Sequence, residues 1–164
     1  NKEIDHYLKL VGIEKENLLS NKFCTLSPSD YGVHNTLKKK NGNLVFIDFE
    51  YFGWDDPVKM LADMLIHPGS QFDKSSKRLI FNNIASYFSQ FDPEFYNRFY
   101  ATYRYFALIW CLILVSDFIP SKRRRKYPLL NDSEKIFILK NKLITAQNFL
   151  KKIEDGSYHP ELLF

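Results

Sequence analysis

The chain has 164 residues, 45% hydrophobic and 16% aromatic, which excludes a disordered or collagen-like protein and fits one domain. Its two cysteines, Cys24 and Cys111, exclude a disulfide scaffold and offer no Cys-x-x-Cys zinc pair. A net charge of +4, from 23 basic and 19 acidic residues, is only mild evidence for an anionic partner. The first residues, Asn-Lys-Glu-Ile-Asp, form no signal peptide and lack a Met, so the expectation is a cytoplasmic chain that belongs to something longer.

Residues 2–10 and 13–20 are expected to form two short helical segments, separated near Gly12. From Phe23 to Tyr31 the composition is that of a loop, with Pro28 fixing its backbone and Ser27, Ser29 and Asp30 competing for backbone bonds. Asn41-Gly42 is the favoured pair for a tight hairpin turn. It lies between Asn35–Lys38 and a short apolar strand, Leu44–Ile47, which ends at Asp48-Phe49-Glu50.

Asp56-Pro57 predicts a helix start, with Asp as cap and Pro in the first turn. Val58, Leu61, Ala62, Leu65 and Ile66 recur at the helical period, and His67-Pro68-Gly69 stops the run. A second helix over about 73–90 carries Leu79, Ile80, Ile84, Tyr87 and Phe88. Asp92-Pro93 opens a third, aromatic helix that ends at Ile119-Pro120. Its ten-residue apolar run, Phe106–Val115, is too short to span a bilayer and is expected to be buried, so no membrane partner is expected. Residues 120–130 are expected to be a basic loop. Asn131 and Glu134 have capping-box spacing and open a last helix with Ile136, Leu139, Leu143, Ala146, Leu150 and Ile153 inward, stopped by Gly156. The fold class is α+β, mostly α: a catalytic loop and hairpin (23–50) on a helical subdomain (56–156), within one domain over 1–164.

The chemistry concentrates between Ser29 and Asp63. Asp30 and Asn35 form an Asp-x-x-x-x-Asn motif that runs into the hairpin, and Asp48 ends the hairpin's second strand. A hairpin brings its outer ends side by side, so Asn35 and Asp48 are expected to converge. Amide and carboxylate oxygens there suit Mg²⁺, and Asp30, one loop away, suits proton acceptance from a hydroxyl. Taken singly, Asp30 and Asn35 also suit turn formation, and Asp48 also suits a strand meeting water.

The strings L-S-P-S-D-Y-G-V-H-N (26–35) and V-F-I-D-F-E-Y-F-G-W-D-D-P (45–57) resemble the catalytic core of the aminoglycoside phosphotransferase and choline kinase family. The resemblance implies a kinase-like C-terminal lobe, with Asp30 as the catalytic Asp and Asn35 and Asp48 as Mg²⁺ ligands. It implies transfer of a phosphoryl group from ATP to a hydroxyl of a small molecule, such as an aminoglycoside, choline or a sugar. Glu50 and Asp55 are the candidates for binding a cationic substrate, with Asp56 kept as a helix cap. Pro28 stands where the family has a His two residues before its catalytic Asp. Nothing before Asp30 supplies the family's N-terminal nucleotide-clamping lobe, so that missing lobe is an expected partner and the isolated chain is expected to be inactive.

Two other readings stay open: a non-catalytic domain of the same fold, and a helical module that binds an anionic polymer through 122–126. A solvated loop is the expectation for that run, so no nucleic-acid partner is expected. His34 is expected to point away from the site, and His6, His67 and His159 to be surface or helix-end residues.

Overall fold

Asn41 and Gly42 bend the chain as their types require. Gly42 takes φ 87°, and its N–H donates to the Lys39 carbonyl at 2.9 Å. The turn joins β2 (Thr36–Lys38) to β3 (Leu44–Phe46), with Thr36 opposite Phe46 and Lys38 opposite Leu44. The Ile47 N–H then donates to the Asn35 carbonyl at 2.9 Å, which carries the pairing one step beyond the strands. A second ladder encloses the first. Here β1 (Thr25–Ser27) runs antiparallel to β4 (Gly53–Asp55), with Ser27 opposite Gly53.

This is a computed structural model, and it describes residues 19–30, 32–70 and 72–158. The helices expected over 2–10 and 13–20 lie outside these residues, apart from Leu19 and Ser20, which are irregular. His6, Tyr31 and His159 lie outside as well.

Five α-helices follow the strands: α1 (Pro57–Ile66), α2 (Lys74–Phe88), α3 (Phe95–Val115), α4 (Pro120–Lys126) and α5 (Asp132–Glu154). The described fold is therefore α+β and mostly helical, with two small two-stranded sheets. Asp56 caps α1 by accepting the Val58 N–H at 2.8 Å, and Pro57 fills its first position. Asp73 caps α2, and Asn131 with Glu134 forms the complete capping box of α5. Gly156, at φ 77°, closes α5.

The core is built where these helices meet. The apolar stripe of α1 (Val58, Leu61, Ala62, Leu65, Ile66) is buried as its period predicts. It meets Phe95, Phe99 and Tyr103 of α3, each fully buried, with Phe81 and Ala85 of α2 alongside. Phe99 lies 4.9 Å from both Phe81 and Tyr103, ring centre to ring centre. The second long face of α3 packs on α5 through Ala107, Cys111 and Leu114 against Ala146 and Phe149.

Several expected faces turn differently. On α2 the buried residues are Phe81 and Ala85, while Leu79 and Tyr87 lie outward. On α5 they are Leu139, Ala146 and Phe149, while Ile136, Leu143 and Leu150 lie outward. Both helices carry more apolar residues than one stripe can bury, so the partner surface selects the stripe. The run Phe106–Val115 is half buried: Leu108, Ile109, Leu112 and Ile113 are exposed. With its 3-10 extension, Phe95–Phe118 is long and apolar enough to cross a membrane by length and composition, although Phe95, Phe99 and Tyr103 fill the core.

The aromatic helix begins at Phe95 rather than at Asp92-Pro93, because the Asp92 side chain closes the preceding turn on the Glu94 N–H. The basic run expected as a loop is α4. Pro120 opens it, Arg and Lys are good helix formers, and cations in the last turn suit the helix dipole. The stretch expected as loop from Phe23 contains β1. The hairpin does not lie flat on the bundle, since Leu37 and Leu44 are more than half exposed.

An ion-paired junction pins the start of α1, next to β4, to α3. Arg98 of α3 donates to Asp56 at 3.0 Å and also pairs with Asp92, which is buried. The Arg98→Ala chain is expected to lose about 3 kcal/mol in urea unfolding, because it leaves a buried carboxylate uncompensated. Adding Asp92→Asn should recover part of that loss.

A second buried carboxylate, Asp117, sits after α3 and accepts the Tyr127 hydroxyl at 2.8 Å and the Lys142 ammonium. Burial pushes Asp117 up, but the bonds from Lys142 and Tyr127 outweigh it and hold the carboxyl below its usual value. A depressed folded value means that this stabilisation is present above the ordinary Asp range and lost as pH falls through the folded value. Acid melts of wild type and Lys142→Met should converge as pH drops through and below that range.

Candidate active site

The two nested ladders leave two loops facing each other, 28–35 and 47–52. Both are closed at each end, by Ser27 opposite Gly53 and by Ile47 bonded to Asn35. Ser29 Oγ crosses the gap and donates to the Tyr51 carbonyl at 3.1 Å. Among the described residues, Ser29 (φ 60°) and Asp48 (φ 64°) are the two non-glycines with left-handed backbone, one on each loop. Such conformations cost roughly 1–3 kcal/mol each and persist where the surroundings impose them.

Asp30 lies in the first loop with its side chain 42% exposed. Asn35 ends the short 3-10 turn Val33–Asn35, and its Nδ2 donates to the Asp30 carbonyl at 2.9 Å. That bond fixes the loop and turns Asn35 Oδ1 into the acceptor left over for another group. Asp48 follows Ile47 at the end of the hairpin, exposed, and its left-handed backbone breaks the alternation that would continue the strand. The ladder thus brings Asn35 and Asp48 to one mouth. Their side chains do not bond each other directly. Glu50 is exposed on the second loop. Asp55, on β4, is engaged: Oδ2 pairs with Lys59 at 2.8 Å and Oδ1 accepts the Asp56 N–H.

Among the described residues, two histidines that the spacing did not mark face the Asp30 carboxylate. His34 Nε2 lies 2.9 Å from Asp30 Oδ1, and His67 Nε2 lies 3.8 Å from the same oxygen. The two imidazoles stack, with centres 3.9 Å apart and planes 11° apart. His67 thus lies beside the candidate site, at the end of α1, and His34 points into it. The His34 ring packs over Gly32, where a Cβ would fall 2.7 Å from Cε1 and Nδ1. His67 packs over Gly69 in the same way, at 3.0 Å. A Cβ at Gly32 would collide with the His34 ring, while one at Gly69 would press on the His67 ring and require a small shift.

His67 also meets the Trp110 ring at right angles, 4.5 Å away. The Trp110 indole N–H donates to Asp63 Oδ1 at 3.0 Å, and Lys59 lies 3.3 Å from Asp63 Oδ2. Burial pulls Lys59 down, but the flanking carboxylates of Asp55 and Asp63 outweigh it and hold the ammonium above the ordinary lysine value. A chain of fixed groups therefore runs from Lys59 on α1, through Trp110 on α3, to Asp30.

Asp30, His34 and His67 each point a ligand-type atom into one space, all within 4.8 Å of one another. Their geometry argues against a shared metal ion. A metal lies in the plane of each imidazole it binds, about 2.1 Å from the nitrogen. Two nearly parallel rings 3.9 Å apart share no such point.

Burial lowers the His67 value below 6.5, the neighbouring His34 adds to that, and Asp30 opposes it. A His with a depressed folded value binds a proton more readily when unfolded, so stability falls as pH drops below about 6.5. The melting temperature is expected to fall between pH 7.5 and 5.5, and to fall less in His67→Asn.

Comparison of the chain with family models, with curated proteins and with solved structures gives no match.

Proposed function

We propose that these residues form the catalytic and metal-binding part of an ATP- and Mg²⁺-dependent phosphotransferase that acts on a small-molecule hydroxyl, on the plan of the C-terminal lobe of a kinase-like enzyme. The observation that carries this reading is the bond from the Asn35 amide to the Asp30 carbonyl, in a loop that the hairpin returns to Asp48. It joins one carboxylate suited to a proton with one amide oxygen and one carboxylate suited to a hard cation. The sequence strings around these residues resemble the aminoglycoside phosphotransferase and choline kinase family, in the order that this chemistry needs.

Asn35 Oδ1 and the Asp48 carboxylate are the groups that would hold Mg²⁺, which supplies charge neutralisation at the triphosphate. Asp30 orients the acceptor hydroxyl and takes its proton as the acceptor oxygen bonds to the γ-phosphorus. The bond from that phosphorus to the β,γ-bridging oxygen breaks, and ADP carries the electron pair away. The protein contributes position and fixed charge rather than a covalent intermediate. Glu50, exposed on the second loop, is available to a cationic acceptor. Asp55, paired to Lys59, is less so.

In a chain joined to the nucleotide-clamping lobe, Asp30→Asn should lower phosphoryl-transfer turnover by about 10²–10⁴-fold while ATP·Mg²⁺ affinity, read by calorimetry, stays unchanged. Asp48→Asn should weaken ATP binding in Mg²⁺ as well as turnover, since it removes a ligand charge. Equal nucleotide affinity in the two variants would overturn the division of roles.

A further inference from the structure

The tautomer of His67 can be read from its backbone neighbour. The Gly69 N–H donates to His67 Nδ1 at 2.9 Å, so that nitrogen presents its lone pair. The proton of the neutral ring then sits on Nε2, the nitrogen that faces Asp30 Oδ1. His34 presents its own Nε2 to the same oxygen at 2.9 Å. Oδ1 thus takes one hydrogen bond, from His34 on the loop, while His67 Nε2 at the end of α1 stands 3.8 Å off, beyond hydrogen-bond reach. Neither ring can swing away freely. They stack on each other, each lies against a glycine, and Trp110 stands against His67. Among the described residues, Asp30 Oδ2 has no such partner.

We propose that His34 is a positioning residue that holds Oδ1 of Asp30 through its Nε2–H, with the stacked His67 ring bracing His34 from behind, so that Oδ2 is the oxygen presented to the acceptor hydroxyl. The proposal rests on the reading of Asp30 as the proton-accepting carboxylate. A carboxylate hinged on one side chain rotates, and a misplacement of about 1 Å at the reacting atoms costs on the order of 10²-fold in rate. A fixed Oδ1 removes that freedom without occupying the oxygen that reacts. Gly69 supports the device, because its N–H sets the tautomer and its missing side chain admits the ring.

The test has a readout without substrate and one with ATP. Long-range proton–nitrogen NMR at pH 7.5 should show both rings as Nε2–H tautomers, with the His34 signal moving in Asp30→Ala. A His34 that carries its proton on Nδ1 overturns the proposal. In a chain joined to the nucleotide-clamping lobe, turnover of ATP with Mg²⁺, with water as acceptor, should fall roughly tenfold to a hundredfold in His34→Phe at unchanged KM for ATP. His34→Gln, whose amide nitrogen takes the place of Nε2, should restore most of it. An unchanged kcat in His34→Phe, or a change confined to KM, overturns the proposal.

Titration with Co²⁺ alone gives the competing outcome. An intense tetrahedral cobalt spectrum that is lost in His67→Ala would make the histidines metal ligands and overturn the positioning role. If Asp30→Asn turns ATP over as fast as wild type, the phosphotransferase reading fails on its own. The tautomer readout still decides the lock.

Discussion

Two backbone closures hold the rest of the site together. Ser27 is paired with Gly53 at one end, and the Asn35 carbonyl accepts the Ile47 N–H at the other. Between them the two loops can neither separate nor slide, since a one-residue slip would flip every side chain in both ladders. This is why Asp30 and Asp48, distant in the chain, share one locality. It is also why left-handed backbone at Ser29 and Asp48 can persist. Isolated two-stranded hairpins are marginal in water. Here each ladder is short, but each holds the ends that the other needs.

The loops are precise only because something rigid lies beneath them. That base is α1, capped by Asp56 and pinned to α3 by Arg98. The buried stripe of α1 carries the hydrophobic part of the attachment, with side chains such as Leu61 and Leu65 each contributing roughly 1.5–3 kcal/mol. The polar part runs along the neighbouring face, from Lys59 through Asp63 and Trp110 to His67. Core packing and site geometry therefore use the same two helices on different faces. The hairpin stands clear, and its exposed Leu37 and Leu44 contribute little to this attachment.

What was legible in the sequence was local. Asp56-Pro57, Asn41-Gly42 and the Asn131–Glu134 box each place a cap or turn within a few residues, and each forms as its chemistry requires. The stripe of α1 was legible for the same reason. The strands β1 and β4 were not, because three residues show no period and, unlike β2 and β3, they are not joined by a tight turn that marks their pairing. The basic run 122–126 carries no apolar period to mark it as a helix, yet Pro120 and its run of Arg and Lys form α4. The exposed Leu79 and Ile136 show the limit of periodicity, which marks apolar positions but does not choose among competing stripes. Asp30, Asn35 and Asp48 were visible as a motif. The pairing of His34 with His67 was not, since it joins a loop to a helix end that no spacing rule connects. Its faint trace is two histidines, each two residues from a glycine, at Gly32-Val33-His34 and His67-Pro68-Gly69.

The hairpin tip has a use in protein engineering. Asn41-Gly42 projects from a ladder whose far end is already closed by the Ile47-to-Asn35 bond, and nothing lies within 4 Å of an added Cβ at Gly42. Extra residues there lengthen a solvent-facing turn, at a closure cost that grows only slowly with length. A fluorophore-bearing insert or a surface-attachment peptide at this tip would report on the loops, or immobilise the chain, without entering the register that holds them. The loops themselves have no such slack, because both of their ends are tied.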